Sequence, residues 1–354
     1  GKTEYIRNRI ADMIDRGETQ VLLITPEQYS FISEYSLLEQ LGEARAHAVR
    51  CLSFSRLCDE CDRLYGADGR KPLTKGGKAI LMKTAIDQVR PDLELFEKKG
   101  SSAAFVQSMT GIYDEMKSCN LSGAAVYAAA DDLDTDILRC KMRDFSRIMT
   151  AYEALLGDRF ADPANRLTRL YDQIKDQNYF AGQTVFLDGF NGFVAQEYKI
   201  LERIIAEAKA VYIALDSDSF GMGDGYDLFA YVNETAGILQ RIADKAGVPT
   251  NALQLSENCR TDYADLRRVE QYIFADQAPE TEIPAEHIRL YAASTVTDAC
   301  NDLALQIKGL LRCGYRAGEI AVTMRDREKY APVLASAFEK YGVPYYADER
   351  QPVT

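Results

Sequence analysis

The sequence predicts an α/β fold: a parallel sheet interrupted by an all-helical insert and followed by the start of a second α/β unit. Three observations predict it. Apolar, β-rich runs alternate with helical periodicity up to about Tyr65, and again from Thr184. Residues 76–165 keep a helical period with almost no strand candidates. After the linker-like stretch Ala275–Pro284 (ADQAPETEIP), strand and helix alternate once more. The expected division is 1–75 plus 166–275 as one α/β domain, 76–165 as the insert, and 285–354 as a further, truncated unit.

The elements follow in order. Gly1-Lys2-Thr3 are the last three residues of the phosphate-loop pattern GxxxxGK[ST]. In that loop backbone N–H groups cradle phosphates, Lys reaches the β- and γ-phosphates, and the hydroxyl holds Mg²⁺. The glycine-rich half is not in the sequence, so the chain is expected to begin inside the motif. Glu4–Asp15 reads as a helix with Tyr5, Ile6, Ile10, Met13 and Ile14 on one face. Val21–Thr25 reads as a strand, Glu27–Leu41 as a helix with Phe31, Tyr35 and Leu38 inward, and Val49–Leu52 as a second strand. Ser53 or Ser55 can cap the helix that runs to Tyr65.

Lys78–Val89, Ser102–Ser118, Ser122–Ala130 and Thr135–Leu156 read as the helices of the insert. Then come strand Thr184–Asp188, helix Val194–Ala208, strand Val211–Leu215, a loop at Gly221–Gly225 and helix Asp227–Ala246. The last unit reads as strand Ile288–Ala292, helix Asp298–Arg312, strand Ile320–Thr323 and helix Lys329–Tyr341. No cap or closure is evident at Thr354, which predicts a C-terminal truncation.

The chain has 354 residues, 47% of them hydrophobic, enough for two or three cores. A net charge of −12 argues against a generally basic surface and leaves room for a local nucleic-acid groove. No apolar run reaches membrane-spanning length, so no membrane partner is expected. Eight irregularly spaced cysteines read as reduced thiols of a cytoplasmic protein. Cys58 and Cys61 form one CxxC with no second pair, and His47 and His287 are the only histidines. Both cysteines read as packing residues on an amphipathic helix.

The strand TVFLD ends in Asp188, the position from which P-loop ATPases help hold Mg²⁺. Gly1, Lys2, Thr3 and Asp188 are therefore the candidate site for ATP and Mg²⁺. No acid adjoins Asp188. Gly189-Phe190-Asn191-Gly192 follow, and Glu197 lies farther along the next helix. Nucleotide binding with slow or absent hydrolysis is expected; the plainer alternative is a strand ending in a Gly-rich turn. Arg260, after the strand-like Leu253–Leu255, is a candidate γ-phosphate sensor or simply a helix-start residue.

Single-stranded nucleic acid is held by stacking aromatics and backbone-tracking polar groups. Thr25, Gln28, Tyr29 and Phe31 leave one strand end, and Ser53, Phe54 and Ser55 leave the next. Strand ends are where α/β ligands bind. The alternative places these aromatics in the core. The run Arg70–Lys78 is a possible phosphate contact or a solvated loop.

The order GKT, VLLITPEQYSF, VRCLSFSRL, TVFLDGFNGFVAQEY, NCRTDYADLRRVEQYIF and GYRAGEIAVTMRDREKYAPVLASAFEKYGVPYY resembles the N-terminal part of the B subunit of AddAB-type helicase–nucleases. That family is a branch of the UvrD-like superfamily 1 helicases. The resemblance implies a P-loop NTPase, RecA-like sheet with a helical insert and the start of a second RecA-like domain. It matches Lys2 and Thr3 to the P-loop and Asp188 to the Mg²⁺-associated Asp. Thr25–Phe31 and Ser53–Ser55 match motifs lying against DNA, and Arg260 matches the γ-phosphate arginine. Gly189 departs from the catalytic Glu, which implies a module without motor activity. The resemblance further implies a heterodimer with the A subunit, DNA as ligand in double-strand break repair, and an iron–sulfur nuclease domain only in a C-terminal part outside this sequence. Two rival readings remain: an active ATP-driven DNA translocase, and a nucleotide-free interaction scaffold.

Overall fold

The computed structural model describes residues 1–67, 69–99, 102–217, 228–255, 261–275, 277 and 279–347. The chain divides into two compact units, Gly1–Arg260 and Thr261–Thr354.

The first unit is built on four parallel strands: β1 (Val21–Ile24), β2 (Val49–Leu52), β5 (Thr184–Leu187) and β6 (Ala210–Ile213), in the order β2-β1-β5-β6. β3 (Lys71–Pro72) and β4 (Phe160–Ala161) form a separate two-residue parallel pair at the base of the insert. Side chains alternate across a strand, and both faces of this sheet are covered. Leu22, Ile24, Val185 and Leu187 pack on one side against α4 (Phe54–Tyr65), α9 (Arg166–Ile174), α10 (Ala195–Glu207) and α11 (Ala230–Ala246). Val21, Leu23 and Phe186 pack on the other against α1 (Lys2–Asp15) and α2 (Glu27–Leu41). α3 (Glu43–Ala46) is a single turn before β2.

α1 buries Ile6, Ile10, Met13 and Ile14, spaced for one helical face. Tyr5, expected on that face, is exposed. α2 buries Ser30, Leu37 and Leu41. Phe31, Tyr35 and Leu38, expected inward, face outward. The row of Leu37 and Leu41 already closes the core with Ile10 and Cys51, so the adjacent row is left uncovered.

The insert comprises α5 (Lys75–Val89), α6 (Ala103–Ser118), α7 (Gly123–Ala130) and α8 (Asp136–Leu156). It has its own core around Met82, Ile86, Ile148 and Met149, with Tyr113 and Tyr152 edge to face at 4.7 Å. Ser102 and Ser122 cap α6 and α7 through their side chains. Asp144, fully buried, accepts three N–H bonds of 2.8–3.1 Å from Glu94, Leu95 and Phe96 and so fixes that loop.

The second unit holds α12 (Ala264–Tyr272), α13 (Val296–Arg312) and α14 (Arg327–Tyr341); α13 and α14 pack through Ala304, Ile307, Leu334 and Phe338. Ile288–Ala292 and Ile320–Thr323, expected as strands, are not strands here. A segment becomes a strand only when another pairs its N–H and C=O groups. Among the described residues none pairs with either. The Leu253–Leu255 stretch is likewise not a strand, and the end of Val211–Leu215 runs past β6. The loop at 221–225 lies outside the described residues.

Candidate functional site: a cleft at the strand ends

The chain passes from β1 to β2 on one side and returns to β5 on the other side of β1. The strand order thus reverses between β1 and β5. At such a switch point the loops leaving two adjacent strands diverge and open a crevice. Ile24 and Leu187 are in register, and the Asp188 N–H donates to the Ile24 carbonyl at 3.1 Å. The Thr25 N–H donates to the Leu52 carbonyl at 3.0 Å. These bonds carry the ladder to its limit, so Thr25, Ser53 and Asp188 all stand at the same end of the sheet.

A cleft of about 600 Å³ opens there, between the sheet and the helical insert. Thr25, Ser53, Phe54 and Ser55 line its sheet side, with Phe190. Thr74, Lys75, Lys78 and Asp114 line its insert side. Ser53 is buried and caps α4, accepting the Arg56 N–H at 3.2 Å. Phe54 is buried and meets Phe190 edge to face at 5.8 Å. Phe54 therefore serves the core and the cleft wall together.

The cations on this cleft differ in availability. Lys78 is buried, ion-paired with Asp114 and, at 2.8 Å, with Asp162, and lies 5.2 Å from the Tyr113 ring centroid. Asp162 also accepts the Tyr152 hydroxyl at 2.6 Å and the Ala164 N–H at 2.9 Å. Arg166 donates to the Ser55 carbonyl at 3.0 Å and pairs with Asp59. Lys75, in the first turn of α5, is exposed and has no ion pair among the described residues.

Gln196 and Glu197 complete the wall. Gln196 is fixed by two donated bonds, to the Ala164 carbonyl at 3.0 Å and the Thr168 hydroxyl at 2.9 Å. Glu197 accepts the Val194 N–H at 2.9 Å, capping α10. Burial pushes the Glu197 carboxyl above its ordinary range, partly opposed by that bond.

The candidate nucleotide residues gather near the same sheet end. Gly1 is the N-cap of α1, and Lys2 and Thr3 form its first turn. The Lys2 ammonium is ion-paired with Asp216, just beyond the end of β6. Asp188 is 7% exposed, and its carboxylate has no partner among the described residues. Gly189 has φ +83°, and a Cβ there would lie 3.4 Å from Pro26 Cδ and 3.6 Å from Tyr29 Cδ2. Arg260 lies outside the described residues.

The remaining candidates fall elsewhere. Gln28, Tyr29 and Phe31 do not line the cleft. Tyr29 stands beside Gly189, and Phe31 lies on the outward face of α2. Sequence reasoning missed the Lys78–Asp114–Asp162 cluster, whose members are 36 and 84 residues apart. It also missed Phe190 as a wall residue, although DGFNGF signals a strand-end turn with aromatics. The described cysteines are unpaired, with Cys58 and Cys61 on the buried face of α4; burial raises both thiols to about 12. Among the described residues no three His, Cys, Asp or Glu side chains converge as a metal cluster. No described helix is long and apolar enough to cross a membrane.

Residues 1–270 match the family described as ADDB, N-terminal. A relative from Clostridium novyi (strain NT) is 26% identical over 359 residues, covering 100% of this chain and 32% of that protein. Relatives from Clostridioides difficile (strain 630), 27% identical over 99% of this chain, and Thermoanaerobacter sp. (strain X514), 25% identical over 98%, are each covered over 31% of their length. All three are named as the B subunit of an ATP-dependent helicase/deoxyribonuclease. The chain spans about a third of the length of these curated relatives. With three quarters of its residues matched by that model, the chain belongs to the AddB N-terminal family.

Proposed function

We propose that this chain is the helicase-like, DNA-guiding part of a helicase–deoxyribonuclease subunit in DNA break repair. In this reading it is a P-loop, RecA-like module that binds ATP and Mg²⁺, drives no translocation itself, and works in the cytoplasm beside a second subunit. The observation that carries the reading is the cleft at the β1/β5 switch point, which collects Thr25, Ser53, Phe54 and Ser55 from two different loops. The hydroxyl residues Thr25, Ser53 and Ser55 set in a largely apolar lining, an aromatic edge at Phe190 and a Lys75 with no ion pair among the described residues suit a single strand passed between sheet and insert. The phosphate backbone would run along Lys75 and the N-terminal turn of α5.

The residues present fit Mg²⁺-bound nucleotide. Thr3 stands in the first turn of a 14-residue helix, and Asp188 is a buried carboxylate without a protein partner among the described residues. One hydroxyl and one carboxylate are the usual protein share of such a site, since Mg²⁺ keeps waters and phosphate oxygens. Bound nucleotide supplies phosphate charge at this end of the sheet. Lys2 would exchange its bond to Asp216 for those phosphates. The absence of motor chemistry is supported by Gly189. Its left-handed φ of +83° is one that the catalytic acid of active helicases would adopt only with strain. Glu197 is occupied in capping α10.

The test is ATP binding and turnover on this chain, with and without single-stranded DNA. Lys2→Ala is the control. Binding lost in the control, with negligible turnover, is the expected result. DNA-stimulated turnover overturns the non-motor reading, and absence of DNA binding at low salt overturns the cleft assignment.

A further inference from the structure

α2 carries an apolar stripe that no described residue covers. Phe31, Tyr35 and Leu38 recur at i, i+4 and i+7 and are 74%, 53% and 40% exposed, with Ile32 beside them at 60%. That spacing keeps the first three on one side of a helix for about two turns, roughly 10 Å. The adjacent row, Ser30, Leu37 and Leu41, is the one buried against the sheet. Solvent-facing helix surfaces are normally polar, so a contiguous aromatic and aliphatic stripe marks a contact surface.

The charges around the stripe say what kind of contact. At 3.6 residues per turn, Glu27 and Glu34 flank one edge and Glu39 the other. α2 contains no Lys or Arg at all. Two cations approach α2 from outside it: Arg56 reaches Glu34 at 3.0 Å from α4, and Arg45 donates to the Leu41 carbonyl at 2.9 Å, at the C-terminal end of the helix. A stripe bordered by carboxylates repels phosphate backbones and anionic lipid, and attracts a surface carrying Lys or Arg beside an apolar ridge. Phe31, Tyr35 and Leu38 do not line the cleft, whereas Glu27, at the edge of the stripe, does.

We propose that the outward face of α2 docks an amphipathic helix of another polypeptide, with its apolar ridge on Phe31, Tyr35 and Leu38 and its flanking Lys or Arg side chains on Glu27 and Glu39. Two aromatic anchors near the centre of a small patch are the usual energetic focus of such a contact. The acidic borders set the charge of the partner and its salt dependence. The proposal does not depend on DNA or nucleotide binding.

The chain contains no Trp, so a peptide with a single Trp reports binding without background. The probe is a synthetic amphipathic helix with Leu and one Trp on its apolar face and Lys along both borders. A second peptide keeps the apolar face and carries Glu at the borders. Saturable binding of the Lys peptide, about tenfold or more tighter than the Glu peptide, is expected. Phe31→Glu with Tyr35→Glu should weaken it at least about tenfold while helix content by circular dichroism is kept. Independently, Glu27→Lys with Glu39→Lys, both exposed, should reverse the preference toward the Glu peptide. Equal binding of the two peptides, or binding untouched by either pair of substitutions, overturns the proposal. So does no binding. Sedimentation showing a dimer that Phe31→Glu converts to monomer would assign the face to a second copy of this chain and overturn the proposed partner.

Discussion

Lys75 and Lys78 lie one helical turn apart on α5, belong to the same basic run, and line the same cleft, yet they do different work. Lys78 is buried in a cluster with Asp114 and Asp162, behind the Tyr113 and Tyr152 rings. Lys75 stands exposed at the mouth, with no ion pair among the described residues. The carboxylates near the same sheet end repeat the contrast. Glu197, on the opposite wall, is tied to its own helix cap, whereas Asp188, just beyond β5, has no described partner. A run of charges in a sequence is therefore not a patch. What each charge can offer a ligand depends on which partners the fold has already brought to it.

The largest expected effect tests the buried member. Lys78→Ala leaves Asp162, whose side chain is fully buried, without its cation. Removing one partner of a buried pair costs about 3–5 kcal/mol. Urea unfolding of variant and parent measures it, and a loss below about 1 kcal/mol would dissolve the distinction between the two lysines. Lys78→Met should recover little of the loss, because packing is restored but the carboxylate stays unpaired.

Gly189→Glu comes next. The residue sits at φ +83°, where a side chain is disfavoured by about 1–2 kcal/mol, and its Cβ would meet Pro26 and Tyr29 at ordinary contact distance. The expected outcome is a destabilisation of that size with no gain of DNA-stimulated ATP hydrolysis. Restored turnover in the variant would show that only the acid was missing, and that the wall beside Asp188 is more yielding than its geometry indicates.

How much of this was legible in the sequence follows the range of the interactions involved. Three insert helices were readable to within one residue, as with Ser122–Ala130 against the observed Gly123–Ala130, because caps and 3.6-residue periods are local, while α5 starts at Lys75, three residues before the expected Lys78. The four strands of the sheet were readable because both faces are covered and the runs are mostly apolar, with Arg50 in β2 the exception in charge. Ile288–Ala292 was not, since strand formation depends on a pairing partner that its own residues do not encode. The inward placement of Phe31, Tyr35 and Leu38 failed for a related reason. α2 has two adjacent apolar rows, and only tertiary packing selects the one with Leu37 and Leu41. In the cleft, Thr25, Ser53 and Phe54 were legible as strand-end residues. The ion cluster holding Lys78 was not, because its acids come from α6 and from the turn after β4.

Lys75→Ala probes the exposed member. Its effect on stability should stay within about 0.5 kcal/mol. Its effect on single-stranded DNA should be a uniform weakening across sequences, with the slope of log K against log salt reduced by about 1. An unchanged slope would remove Lys75 from the DNA path and leave the cleft without a described unpaired cation.

The smallest effect concerns Glu197, and its sign is set by burial. Burial raises the folded-state pKa above the unfolded value of about 4.3. The folded chain then holds this proton more tightly than the unfolded one. The associated stability is full below the unfolded pKa and is lost as pH rises through the folded pKa. Glu197→Gln keeps an oxygen for the Val194 N–H and never ionises. The variant should match the parent at about pH 4 and gain on it by pH 7.5, within about 0.5 kcal/mol. Melting temperatures at the two pH values give the comparison. A variant that loses ground as pH rises would mean that the ionised carboxylate is held by a favourable contact, and that the sheet wall offers a charge where burial argues for a neutral cap.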